Sequence, residues 1–176
     1  ALLGLRLSLG EVAILGWPAV MAVCAAVFMT LAFGVLWAQV LGCGRDLGLL
    51  TGGAVGICGA SAAMAISAAL PESETKQRYT LFTVIGVTTF STAAMVFYPI
   101  VGDLLQFTST EMGFFIGATI HDVAQVVGAG YSVSPETGDL ATFVKLLRVA
   151  MLVPIVMAIA LVCRISSRAQ EASQPS

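Results

Sequence analysis

Long apolar runs are the feature that most constrains this chain. A helix that crosses a lipid bilayer needs about 20 apolar residues, and three stretches meet that length, at 18–41, 79–101 and 140–163. Hydrophobic residues make up 58% of the sequence and charged residues 10%, whereas soluble domains carry about 25% charged residues. Because so few charges cannot cover a surface that faces water, the sequence predicts an integral, all-α membrane protein.

Two prolines and a polar tail add detail to the prediction of these three helices. Tyr98-Pro99 predicts the end of the second helix, because proline lacks the backbone N–H that a helix interior needs. Pro154 predicts a kink in the third. The last residues, 166–176, are polar and predict disorder.

Two further stretches, at 46–70 and 111–131, are long enough to cross the membrane but are interrupted by glycine. Glycine costs about 1 kcal/mol relative to alanine inside a helix. Interrupted helices occur in membranes where backbone is buried in protein or lines a cavity, and they mark binding sites in transporters. We therefore expect breaks near Gly56 and near 117–119. The alternative is that the glycines only allow helices to pack closely.

The string "GATIHDVAQVVGAG" at 117–130 holds the most polar residues of the second interrupted stretch. Thr119 and Asp122 match the spacing of a capping box, which predicts a half-helix that begins at Thr119. His121 and Gln125 would then share one helix face. Backbone N–H groups at such a helix start attract anions, and a protonated histidine strengthens that attraction. The alternative is that Asp122 only caps the helix and His121 bonds to a neighbouring helix.

These residues define a predicted site. Thr119, His121 and Gln125 would bind the substrate, and His121 with Asp122 would carry a coupling proton. The first interrupted stretch would contribute further lining residues, which are Gly56, Cys58 and Ser61.

Three basic residues lie in apolar surroundings: Arg6, Lys145 and Arg148. Arg148 falls near the middle of its predicted span, where an arginine costs about 2.5–3.5 kcal/mol, so we expect it to face the protein interior. It would attract the anion, or pair with an acid such as Asp122. Lys145 would join it or extend to the membrane surface. With Arg6 added, positive charge exceeds negative charge, which favours an anionic ligand.

Several other functions lack support in the sequence. No HExxH, GxSxG or P-loop string occurs, and although Ser61 and His121 could form a hydrolytic dyad, nothing in their spacing requires it. The four cysteines form no CxxC pair, so neither a zinc site nor a disulfide framework is predicted. No basic cluster indicates nucleic-acid binding. We expect no enzyme and no cofactor.

Four strings together resemble one known family: "GLRLSLGE", "GICGASAAMA", "GATIHDVAQVVGAG" and "VKLLRVAMLVP". Their order and spacing over residues 1–165 are similar to the YeiH-like bacterial membrane proteins, which are named as sulfate exporters. The resemblance implies a multi-pass inner-membrane protein with an inverted repeat and crossing broken helices, related to bile acid, arsenite and riboflavin transporters. The chain holds only part of that architecture, so it needs the remaining helices of a longer protein or further copies of itself.

The sequence thus predicts part of a transporter for a small anion such as sulfate or a sulfonate, coupled to protons. One alternative is a cation–proton exchanger that uses Asp122 as the ion ligand. Another is a membrane scaffold that transports nothing. Basic residues are divided almost evenly between the two predicted sides, and we place the tail in the cytoplasm.

Overall fold

The computed structural model describes the backbone of residues 9–172 and the side chains of residues 17–165. Within these residues every regular element is a helix, so the predicted all-α architecture is confirmed. The helices are α1 (Leu9–Val40), α2 (Arg45–Gly56), α3 (Ala60–Ala69), α4 (Lys76–Leu104), α5 (Ser109–Thr119), α6 (Val123–Val133), α7 (Pro135–Ala150) and α8 (Leu152–Ala172).

Three stretches of the described chain are helical, long and apolar enough to cross a bilayer: Trp17–Val40, Lys76–Leu104 and Pro135–Ile165. Many of their large apolar side chains are exposed, including Phe33 and Phe90 at 63% and 73%. Such a surface suits lipid or further helices rather than water.

The third of these stretches is not one continuous helix, which corrects the prediction for 140–163. It is divided at Met151, between α7 and α8. Pro154 has no N–H to donate to the carbonyl of Ala150, four residues before it. The Met151 amide instead donates to the carbonyl of Arg148 over 3.1 Å. The interruption of the helix therefore lies one turn before Pro154 itself.

Two predicted helix ends are wrong. The second long helix continues past Pro99 to Leu104, because one proline removes only one hydrogen bond from a helix that is already several turns long. The tail is helical to Ala172 rather than disordered from residue 166. Its arginine, alanine, glutamine and glutamate residues favour helix, and residues 173–176 lie outside the described chain.

Both predicted breaks are confirmed. α2 ends at Gly56, and residues 57–59 precede α3; α5 ends at Thr119, and residues 120–122 precede α6. In the first break Gly59 has φ 70°, a left-handed conformation that glycine adopts without steric cost.

Glycines also bring helices into backbone contact, so the packing interpretation is correct as well. A Cβ on Gly34 of α1 would lie 2.7 Å from Cα of Gly52 in α2, and a Cβ on Gly48 would lie 2.7 Å from Cα of Val35. Small residues allow membrane helices to approach this closely.

Two buried clusters surround the breaks. The first joins α1, α2, α3 and α8 around Leu50, Ile57 and Ile66. The second joins α4, α5, α6 and α7 around Ile116 and Ile120. Each broken helix therefore has its own apolar support, and α7 reaches from the second cluster to the first break.

Side-chain caps fix the residues at which α5 and α7 begin. Ser134 caps α7 by accepting a hydrogen bond from the Thr137 amide over 3.0 Å. Thr108 and Glu111 form a capping box at the start of α5. These caps satisfy N–H groups that a helix start leaves free.

Candidate functional site

The two helix breaks lie against each other and form a junction. A Cβ on Gly59 of the first break would lie 3.7 Å from Cβ of His121 in the second. The ends of four helices, α2, α3, α5 and α6, therefore meet at one place. The sequence predicted both breaks as parts of one site, and the structure brings them together.

Lys145 joins the two breaks directly. Its Nζ donates to the carbonyl of Ile57 over 2.8 Å and to the carbonyl of Ile120 over 2.9 Å. The side chain is 0% exposed. The alternative in which Lys145 extends to the membrane surface is therefore wrong.

Arg148, one turn further along α7, makes a second link of the same kind. Nε donates to the carbonyl of Gly56 over 2.9 Å, and Nη2 donates to the carbonyls of Val55 and Gly56 over 2.7 and 2.6 Å. Nη1 donates to the carbonyl of Ala118 in α5. The guanidinium lies inside the protein, as the cost of exposing it to lipid predicted, but its partners differ from those expected.

The acceptors are the last carbonyls of α2 and α5, not a carboxylate. Among the described side chains the one ion pair within 4.0 Å joins Lys76 and Glu72, so Arg148 is not paired with Asp122. A helix end carries about half a negative charge, together with carbonyls that no helical N–H can reach. Lys145 and Arg148 donate to these carbonyls, and the Arg148 guanidinium also balances the negative charge of the helix ends.

The structure corrects the predicted capping box at 119–122. Thr119 is the last residue of α5, and its hydroxyl donates to the carbonyl of Phe115. The helix after the break begins instead at Asp122, whose carboxylate accepts from the Ala124 amide over 2.8 Å. Asp122 therefore acts as a cap. His121 precedes the helix, so it does not share a helix face with Gln125.

Ser91 of α4 is a junction residue that the sequence reasoning missed. Its Oγ accepts from the His121 amide over 3.2 Å and from the Asp122 amide over 3.1 Å, and the residue is 1% exposed. These are two of the N–H groups predicted to face an anion. The neighbouring Thr92 accepts from Nε2 of Gln125 over 2.8 Å. The only signal in the sequence is a hydroxyl-rich stretch within an apolar helix.

Two polar atoms beside the second break have no hydrogen-bond partner. They are Nδ1 of His121 and Oε1 of Gln125, and both atoms are buried. Among the described side chains, Oγ1 of Thr83 is a third buried atom without a partner. Buried polar atoms are nearly always paired in folded proteins. The junction therefore holds unused hydrogen-bonding capacity next to His121.

The other residues predicted for the site lie in or beside the first break, or outside the described residues. Gly56 ends α2, and Cys58 in the first break is 4% exposed. Ser61 is exposed in the first turn of α3, and no hydrogen bond to His121 is found in the described part of the chain, so the dyad has no support. Arg6 lies outside the described residues. No group of three His, Cys, Asp or Glu residues suitable for a metal occurs among those described.

A cavity of about 820 Å³ lies beside the junction, between α1, α5 and α7. It comes next to the second break at Ala118 and Thr119, the last residues of α5. Its other lining residues are Ala19, Phe107, Thr110, Glu111, Phe114, Phe115, Glu136, Asp139, Leu140 and Phe143. Among the described residues predicted for the site, Thr119 lines this cavity.

A family model described as Conserved hypothetical protein 698 matches residues 1–176. The chain belongs to this family. The chain is 53% identical to a UPF0324 membrane protein of Chlorobaculum tepidum, over 92% of this chain and 45% of the relative. It is also 53% identical to the UPF0324 membrane protein TauZ of Paracoccus pantotrophus, over 93% of this chain and 48% of the relative.

This family agrees with the resemblance to YeiH-like proteins, and its members are named as membrane proteins. The chain spans about half the length of these two curated relatives. No solved structure matches it. Together with the three long apolar helices, the match identifies the chain as a membrane protein.

We expect Ser91→Ala to destabilise the full-length protein. The change leaves two buried amides, those of His121 and Asp122, without an acceptor, and an unsatisfied buried group costs about 1–3 kcal/mol. Thermal unfolding in detergent measures the effect. Thr89→Ala is the matched control, because that exposed hydroxyl bonds only within its own helix. Equal effects of the two changes would show that Ser91 does not support the break.

Proposed function

We propose that the full-length protein is a multi-pass transporter of the bacterial inner membrane that exports a small anion such as sulfate or a sulfonate. The junction of the two breaks is its binding site, and transport is coupled to protons. Interrupted membrane helices that meet at one place are typical of transporter binding sites. Membership of a family of membrane proteins and the resemblance to the YeiH-like proteins support the same class.

The balance of charge at the junction carries the proposal. Lys145 and Arg148 are buried there with one carboxylate nearby, that of Asp122, and this carboxylate already caps α6. Both α3 and α6 begin at the junction, so their positive ends point at it and offset the negative ends of α2 and α5. When Lys145 is protonated, the two cations outnumber the carboxylate, and this surplus of positive charge in a site of low dielectric constant favours an anionic ligand.

The residues divide into two roles in this proposal. Lys145 and Arg148 donate to carbonyls, so they act on the anion through their field and by holding the breaks together. Direct contacts come from groups that are free to make them. Nδ1 of His121 is unpartnered, and the start of α3 has no side-chain cap. Cys58 and Ser61 flank that start.

A cation–proton exchanger fits the junction less well. Sodium and similar cations bind carboxylate and carbonyl oxygens. The carbonyls at the ends of α2 and α5 are already bound by Lys145 and Arg148, and Asp122 accepts from a backbone amide. A cation would have to displace these partners.

Thermal stability of the purified full-length protein tests the anion. We expect sodium sulfate or sodium methanesulfonate to raise the unfolding temperature more than sodium chloride or lithium chloride at equal ionic strength. Ligand at a hundred times its dissociation constant stabilises the folded state by about 2.7 kcal/mol. His121→Gln should reduce this gain, whereas Thr89→Ala should keep it.

Three other results of these measurements would contradict the anion proposal or part of it. Stabilisation by sodium or lithium with any anion would indicate the exchanger. Absence of any salt-specific effect, with no anion flux in proteoliposomes, would indicate a scaffold. A sulfate effect that His121→Gln leaves unchanged would place the anion away from the second break.

A further inference from the structure

A protonated Lys145 would have more N–H donors than the acceptors that the structure places around it. An ammonium group has three N–H donors, whereas a neutral amine has two N–H donors and a lone pair. The structure gives Nζ two acceptors, the carbonyls of Ile57 and Ile120. Its hydrogen bonding therefore matches the neutral amine, with one donor for each helix break.

The surroundings of Lys145 also lack a counter-charge in contact with it. The charged and titratable groups that face it are Arg148 on its own helix, Cys58 in the first break, and His121 and Asp122 in the second. Arg148 is a like charge, and Asp122 forms no ion pair with Lys145 within 4.0 Å. A buried charge without a partner is costly, and a lysine can remove that cost by losing a proton.

We propose that the Lys145 amine is the proton-binding site of this protein, neutral while the junction is closed and protonated when the junction opens to water. His121 and Asp122, which the sequence suggested for this role, are not needed for it. This inference rests on the proposed transport function, because a transporter must open its site in each cycle. Since Nζ contacts both breaks, proton uptake favours the opening of both together.

The proton transfer is a simple exchange with water. When the junction opens, the lone pair of Nζ forms a new N–H bond with a proton from a hydronium ion, whose O–H bond breaks to leave water. When the junction closes, this N–H bond breaks and the proton returns to water. Arg148 cannot take part, because a guanidinium keeps its proton in proteins. It holds the carbonyls of α2 and α5 in both protonation states of Lys145.

Hydrogen–deuterium exchange on the substrate-free full-length protein tests this inference. After correction for intrinsic exchange, amides at 55–60 and 118–123 should exchange faster as pH falls. The gain should reach at most about tenfold per pH unit, the limit for uptake of one proton. Lys145→Arg, which stays charged, and Lys145→Met, which stays neutral, should remove this pH dependence. His121→Gln, Asp122→Asn and Cys58→Ala should keep it.

Wild-type protein alone can overturn the inference, whether or not the lysine variants fold. Exchange that does not rise at both breaks as pH falls would overturn it. So would a pH dependence that persists in Lys145→Arg or disappears in His121→Gln. This outcome is separate from that of the anion proposal. A Lys145-dependent response without any sulfate stabilisation would keep the proton site and reject the anion.

Discussion

Arg148→Leu should sharply lower the stability of the full-length protein. The change removes the donors for three carbonyls, of which that of Gly56 is buried and those of Val55 and Ala118 are part-buried. A buried carbonyl left without a donor costs about 1–3 kcal/mol, and the two part-buried carbonyls add a smaller loss. Thermal unfolding in detergent, together with the yield of folded protein, measures this loss.

Arg78→Leu is the control for this prediction, because Arg78 is exposed in the first turn of α4. It should unfold near the wild-type temperature. The sequence suggested that Arg148 attracts the anion, and on that view Arg148→Leu would lose transport but still insert into the membrane. A variant with wild-type stability and no transport would restore that view and contradict the structural role.

Gly117→Ala should be the most damaging of the glycine substitutions in the second broken helix. A Cβ at this position would lie 2.9 Å from Cβ of Val144 and 3.0 Å from Cα of Ala141 in α7. Backbone atoms cannot move aside as a flexible side chain can, so α5 and α7 must separate. Overpacking of this kind costs about 1–3 kcal/mol and occasionally more. The separation also weakens the bond between Arg148 and Ala118, the residue after Gly117.

Gly86→Ala provides the matched comparison. Gly86 lies inside α4, and a Cβ there would meet nothing within 4 Å. Alanine is favoured over glycine in a helix interior by about 1 kcal/mol, so this variant should unfold at or above the wild-type temperature. If both alanine variants behave alike, the contact between α5 and α7 is looser than the structure gives.

The helix breaks were predictable because their signals are local. Gly56, Gly59 and Gly117 disfavour a helix through their own backbone freedom, and the structure divides both stretches within three residues of the expected points. Local signals were less reliable at helix ends. The match of Thr119 and Asp122 to a capping box was wrong, because a hydroxyl that bonds back into its own helix competes with capping.

The partners of the polar residues could not be predicted in the same way. Nothing near Arg148 in the sequence indicates that its acceptors lie in α2, 92 residues away at Gly56. Ser91 accepts from amides 30 and 31 residues away. A single serine in an apolar helix gives no sign of this. Only the packing of α4 and α7 against the breaks brings these groups together.

The sequence by itself determined that this chain forms helices long enough to cross a membrane and where two of them break. Apolar length, glycine and proline act within a few residues of themselves, so they need no knowledge of the packing. The tertiary structure alone decided that Lys145 and Arg148 bind the carbonyl ends of both broken helices. The physical reason is that buried polar and charged groups must find hydrogen-bond partners, and which groups are near enough depends on how distant helices pack.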